Sequence, residues 1–422
     1  MFNFYHPNKF AFACRAKSTV FGFAFLATSA VAQTVSQQPT LRQAVDAAWQ
    51  ASHQSRSLDN RRKELAAKEK AAGSWLSGEP VAGIAHRTDW LNRNEGFREY
   101  EAEIELPLWN PGVRTAVQAD VSAQRLGFDG QFALARLKLT GELRALAASA
   151  AMAQVELDLN KRKLLDANAL MQDLNRRVKA GENARVDGLQ AQLLVQQAQT
   201  ALAHAESQLT RLQNQWRSLT GLANVAPLGE SLASSAANEA TAAPVSPDHP
   251  ALRQAQAQVS SAQARLALTA ADQRDPMALG LGIARERGSF GAANETKLRI
   301  ALRIPLGGDN RNEARDAAAR AELDTAQAEL DALQRQLPAE VAAATAELRA
   351  ARFAQTAATE RARLSTEVQT LITKSWRLGD SDLPARLRAE NEQFEASLSL
   401  ARAAIDVQRA IANLNQAHGV FP

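Results

Sequence analysis

The chain has 422 residues, with 49 Lys and Arg against 45 Asp and Glu, a single cysteine and 5% aromatic residues. Such a balance excludes a strongly basic nucleic-acid binder, and no basic stripe with interleaved aromatics runs along the chain. One cysteine excludes a disulfide scaffold, and so few aromatics suit elongated helix packing better than a large compact core.

Lys9, Arg15 and Lys17 precede an apolar stretch, Thr19 to Val31, that ends in Ala30-Val31-Ala32. This pattern predicts a secretory signal over residues 1–32, cleaved before Gln33. The apolar run is short for a membrane span. Cleavage would remove Cys14, leaving no thiol and no cysteine for lipid anchoring.

A first unit is expected over 33–222. Thr40 to Gly73 reads as one helix. Val81–Arg87 and Arg98–Leu106 read as strands, within about 81–106, joined by the turn Asn92-Arg93-Asn94-Glu95-Gly96. In the second strand Tyr100, Ala102, Ile104 and Leu106 alternate with Glu99, Glu101, Glu103 and Glu105, the period of a strand. A helical hairpin over about 112–221 follows. Phe132, Leu139, Leu146, Ala153, Ala167 and Leu174 form one heptad series, and Leu143, Ala150, Leu157, Leu164, Met171 and Val178 its partner. Gly112 to Ala180 would span roughly 100 Å as continuous helix. The return helix carries Ala191, Ala198, Ala205, Leu212 and Leu219 beside Val195, Leu202, Leu209 and Trp216.

Residues 223–247, rich in Ala, Ser and Pro, read as a linker. A second unit over 248–422 repeats the order. Its strands fall at about 277–304, with Leu298, Ile300, Leu302 and Ile304 alternating with Lys297, Arg299, Ala301 and Arg303. Its helical hairpin falls at about 312–418. One constant offset relates Leu106-Pro107-Leu108 to Ile304-Pro305-Leu306, Gly181 to Gly379 and Gly221 to Gly419. Matched landmarks of this kind mark a duplicated unit.

No P-loop, dinucleotide fingerprint, H-E-x-x-H or C-x-x-C is present. His53, His86, His204, His249 and His418 lack metal-ligand spacing. No catalytic, cofactor-binding or metal-binding residues are therefore expected, and no enzyme. The glutamate ladder has two readings: the solvent face of an antiparallel sheet, or the water-lined lumen of a membrane barrel with Tyr100 and Ile104 toward lipid. The export signal and the matched hairpins favour the barrel. Glu101, Glu103, Glu105, Lys297, Arg299 and Arg303 would then share one lumen. Gly181 and Gly379 read as helix C-caps, and also as the tips of a tube or as docking points.

This order and spacing resembles the TolC-type outer-membrane efflux proteins. The matching features are Pro80, Leu106-Pro107-Leu108, Ile304-Pro305-Leu306-Gly307-Gly308, the tip from Val178-Lys179-Ala180-Gly181 to Asp187-Gly188-Leu189-Gln190-Ala191, and Leu219-Thr220-Gly221. The resemblance implies a mainly α fold with a β-barrel part. In it, a homotrimer shares one outer-membrane barrel, four strands per chain, continued by a long periplasmic helical barrel. It implies passive conduction, with a periplasmic adaptor and an inner-membrane RND-type pump as partners. Pro107 to Gly112 and Gly308 to Asn312 are similar to the CzcC-like heavy-metal branch, implying heavy-metal cations as cargo. In well-known members acids ring the second tip where this chain has Ala385 and Arg388; the first tip keeps Asp187, and either Asp380 and Asp382 substitute for the missing acids or the gate uses another device. A periplasmic adaptor and a non-channel coiled-coil scaffold are the competing readings.

Overall fold

A capping box opens the first helix: the Thr40 hydroxyl accepts from the Gln43 N–H at 3.2 Å, and Gln43 Oε1 accepts from the Thr40 N–H at 2.9 Å. The computed structural model describes residues 38–232, 245–306 and 309–422, and no side chains at 309–311. The expected signal, Gly307, Gly308 and the middle of the expected linker lie outside the described residues.

The elements run α1 (Leu41–Ala51), α2 (His53–Ala72), β1 (Val81–Thr88), β2 (Arg98–Leu108), α3 (Val113–Lys179), α4 (Arg185–Thr220), α5 (Pro250–Ala271), β3 (Met277–Arg287), β4 (Glu295–Arg303), α6 (Asp309–Leu378) and α7 (Leu383–Ala417). Helix α3 has 67 residues and α6 has 70, each roughly 100 Å long at ~1.5 Å per residue.

Three expectations need correction. The helix expected over Thr40–Gly73 is two helices. Ser52 adopts extended backbone, and its hydroxyl caps α2 by accepting from the Ser55 N–H at 3.1 Å. Such local side-chain bonding competes with helix continuation. Strand β2 does not stop at Leu106: it runs through Pro107 to Leu108, and the Pro107 carbonyl still accepts from the Ser77 N–H at 3.1 Å. Burial on α3 also exceeds the two heptad series, taking in Leu137, Thr140, Arg144, Ala147 and Leu170. One seam suits one partner helix, whereas α3 packs on α4, α5 and α7.

The four strands form one antiparallel sheet in the order β1-β2-β3-β4. At the sheet end of the helices the lateral order is α2, α3, α5, α6; at the far end it is α4, α3, α7, α6. Midway, Leu41, Val45, Leu143, Ala147 and Trp216 form one apolar cluster, and Val341, Leu348, Val407, Ile411 and Leu414 form its repeat-related counterpart. Each fully buried Leu or Val there contributes roughly 1.5–3 kcal/mol. The described start of the linker packs into these clusters through Val225, Ala226 and Leu232. Its Glu230 pairs with the buried Arg144 at 3.0 Å, and Arg144 also donates to Gln416 Oε1 at 2.7 Å.

Candidate functional site: the open sheet and the hairpin tips

Alternation gives the sheet two chemically different faces. Glu101 lies opposite Ala85 and Ala284, Glu103 opposite Gly83 and Gly282, and Glu105 opposite Val81 and Gly280. On β4, Lys297 lies in the row of Glu101, Arg299 in the row of Glu103 and Arg303 one same-face step beyond Glu105, in the row of Pro107, all on the same face. The register therefore brings all six ladder residues together. Arg299 bonds Glu101 at 3.0 Å and Arg303 bonds Glu105 at 2.7 Å, each reaching across β3. Lys297 bonds Glu286 rather than a β2 acid.

Strand β3 makes this reach possible because it presents only small residues between the charges. A Cβ at Gly280 would sit 2.7 Å from Glu103 Oε1, so any larger residue would displace that carboxylate. Arg87 pairs with Glu99 at 3.3 Å. Glu103 is left with no ion-pair partner among the described residues. These exposed pairs are each worth about 0–1 kcal/mol in water, so they set where charge lies more than how stable the sheet is. Sequence reading had missed Arg87 and Glu286 as members of this face. Arg87 ends the first expected strand, and extending the period of the third strand by two residues reaches Glu286.

The opposite face is apolar and bare. Ile84 is 91% exposed, Leu298 77% and Ile300 69%. Tyr100, Ile104 and Ile283 join them. So much contiguous exposed apolar surface marks a face that meets something other than water. Trp75, before β1, and Trp90 and Phe290, in the turns beyond the strands, are exposed at its two ends. Both sheet edges, β1 and β4, are unpaired among the described residues. No described helix is long and apolar enough to cross a membrane.

At the other end of the molecule the two hairpin tips lie side by side. Gly181 (φ 81°) and Gly379 (φ 86°) both take left-handed backbone. Each closes its helix with paired bonds: Glu182 N–H to Arg177 O and Gly181 N–H to Val178 O, matched by Asp380 N–H to Ser375 O and Gly379 N–H to Trp376 O. Leu170, Leu174, Ala191, Trp376 and Leu383 form a core drawn from both hairpins. Arg177 and Arg386 stand 5.3 and 5.8 Å from the Trp376 ring centre.

The acids at the tips have local partners. Asp382 caps α7, accepting from the Ala385 N–H at 2.9 Å. Asp187 accepts from Asn183 Nδ2 at 3.0 Å. Asp380 is exposed, and Arg388 donates to the Pro384 carbonyl at 3.3 Å. Asn110, in the motif after β2, braces the two repeats. Its Nδ2 donates to the carbonyls of Arg274 and Asp275 at 2.9 and 3.0 Å, and its Oδ1 accepts from the Met277 N–H at 3.3 Å.

No family model and no curated protein matches this chain. Solved structures do. A membrane protein from Pseudomonas aeruginosa aligns with a TM-score of 0.73 at 19% identity, over 90% of this chain and 93% of that one. The outer membrane protein VceC from Vibrio cholerae aligns at 0.72 and 14% identity, over 90% and 96% of the two chains. CusC, solved in a study of transmembrane channel formation, aligns at 0.72 and 14% identity, over 90% and 92%. The fold of this chain is thus the TolC-type fold of outer-membrane efflux channels.

Proposed function

We propose that this chain is the outer-membrane channel of a tripartite efflux system, a homotrimer that conducts substrate passively from a periplasmic adaptor and an RND-type pump to the exterior. The observation that carries this reading is the open four-stranded sheet, with one bare apolar face and two unpaired edges. In lipid every backbone group needs a protein partner, so such a sheet is stable only when closed into a barrel. Strand β1 has 8 residues. At ~3.3 Å per residue and a barrel tilt of ~40° it rises about 20 Å, and the 11-residue β2 and β3 rise about 28 Å, bracketing the ~25 Å apolar band of outer-membrane barrels. The exposed Trp75, Trp90 and Phe290 then stand at its two water interfaces.

The helices support the same closure. Helix α4 and helix α6 are the lateral edges of the far end, and α6 lies on the β4 side of the sheet. Val186, Leu189 and Leu193 on α4, and Leu364, Val368 and Leu371 on α6, are exposed at helical spacing. A second copy offers α6 to α4 by the same rotation that offers β4 to β1, a head-to-tail ring. An adaptor or a soluble scaffold has no use for a bare apolar sheet face. As cargo we infer cations, heavy-metal ions among them; the support is the sequence resemblance at Pro107–Gly112 and the surplus carboxylate on the charged sheet face.

Ile300→Arg and Arg299→Gln test this reading on adjacent residues of one strand. The first puts a charge on the lipid face, costing about 2–4 kcal/mol near the bilayer midplane, and should abolish recovery of an outer-membrane trimer. The second, on the lumen face, should leave recovery intact. Equal tolerance of both substitutions in membrane fractionation would rule the barrel out.

A further inference from the structure

The outer rim of the bare apolar face carries an unmatched group of arginines. Arg98 on β2 lies directly opposite Arg287 on β3, and Arg285 lies opposite Tyr100. Arg98, Arg285, Arg287 and Tyr100 therefore share the face that carries Ile104 and Ile283, at the end of the strands farthest from the helices. Side chains directly opposite are about 5 Å apart at Cβ, and the Arg98–Arg285 diagonal is about 7–8 Å.

None of these arginines has a carboxylate within ion-pair distance among the described residues. Arg98 and Arg285 are exposed. Arg287 donates from Nε to the Gly96 carbonyl at 3.3 Å and lies 5.7 Å from the Phe290 ring centre, which leaves its terminal nitrogens free of any acid. Every cation on the opposite face, by contrast, has an acid: Arg87, Lys297, Arg299 and Arg303 are all paired. Like charges directly opposite across a sheet repel. The acids needed to balance them exist on this chain but stand on the other face.

We propose that Arg98, Arg285 and Arg287 form a binding site for the phosphate-bearing headgroup of a membrane lipid, whose acyl chains lie along Ile104, Ile283 and Leu281. This rests on the barrel reading, which makes this face the lipid face and its far rim the outer water interface. Charge complementarity selects the ligand: guanidinium forks match phosphate oxygens in paired hydrogen bonds, and an apolar strip directly below them fits an acyl chain. The stacked pair His86 and Tyr100, with ring centres 4.4 Å apart, lies in the row of Arg285, between the Arg98–Arg287 row and the aliphatic rows. The lipid supplies the negative charge that the protein withholds from this rim.

The test uses the full chain extracted in detergent as a trimer and titrated with lipid A, which carries two phosphates, with retained lipid read by native mass spectrometry. Wild type should retain lipid A in preference to phosphatidylcholine. Arg98→Gln combined with Arg285→Gln should weaken retention about tenfold or more, the loss of at least one charge-assisted bond. Arg211→Gln combined with Arg320→Gln, on the helices, should leave it unchanged. Equal retention by the rim variant and wild type overturns the site. So does equal retention of lipid A and its dephosphorylated form. Displacement of lipid A by inorganic phosphate at equal concentration overturns the lipid assignment in favour of a free-anion site. A failure of the barrel reading shows separately, as the absence of any trimer in the outer-membrane fraction.

Discussion

Glu103 is the residue whose role depends most on its neighbours. The glutamate ladder is plain in sequence, where its acids look equivalent and Lys297, Arg299 and Arg303 share one lumen with them. The register instead neutralises Glu101 with Arg299 and Glu105 with Arg303. Glu103 remains the uncompensated carboxylate, lying over Gly280. In a lumen lined by three copies it would focus a negative potential and concentrate cations. Glu103→Gln should lower the cation preference of single channels in planar bilayers on the order of twofold in ~0.01 M salt. The effect should fade near ~1 M, where the screening length falls to about 3 Å. Removing a neutral pair, Glu101→Gln with Arg299→Gln, should leave selectivity unchanged. If the paired variant shifts it as much as Glu103→Gln does, the pairing does not set the lumen charge.

At the scale of elements, the start of α5 holds a titratable cap. His249 is 4% exposed, and its Nδ1 accepts from the Ala251 N–H at 3.1 Å, which fixes the neutral tautomer with its proton on Nε2. Burial pushes the His249 pKa below the usual imidazole range; Glu340 on α6 raises it and His418 at the end of α7 lowers it further. Burial pushes His418 down as well. Both shifts are depressions, so the stability they carry is complete above about pH 6.5, the unfolded value. It declines as pH falls from there through the lower folded-state values. Protonating Nδ1 also removes the cap. Asn caps helices without titrating, so His249→Asn should keep the melting temperature of wild type at pH 8 and reduce its fall between pH 7 and pH 5. An unchanged fall would assign the acid sensitivity to other groups.

Across the whole molecule, the sheet and the tips lie at opposite ends of helices roughly 100 Å long. On the proposed reading the chain is a duct that meets its source at the tips. Cysteines at Ala184 and Ser381, in a chain whose single native cysteine is Cys14, should cross-link to the adaptor in intact cells. A cysteine at Asn92, in the turn beyond β1, should not. The reverse pattern would mean the molecule is inverted. The packed tip core explains why these segments hold together: Trp376 from one hairpin is buried against Leu170, Leu174 and Ala191 of the other. Trp376 had not stood out in sequence, because a lone tryptophan one turn before a glycine has no period of its own.

The sequence by itself determined the duplicated unit, the strand and helix order, the two-faced strands and the glycines at both tips. All of these follow from local backbone geometry: a period of two, a period near 3.6, and the left-handed turn that glycine enters most cheaply. The tertiary structure decided which charges meet. Glu101 finds Arg299, Glu105 finds Arg303, and Arg98 faces Arg287, each across a long stretch of chain. Such partners are set by strand register, and register is settled by how the two repeats pair, through Asn110 and the β2–β3 ladder. The break at Ser52 was also beyond the sequence pattern, because a serine hydroxyl can continue a helix or cap a new one, and packing around α3 selects between them.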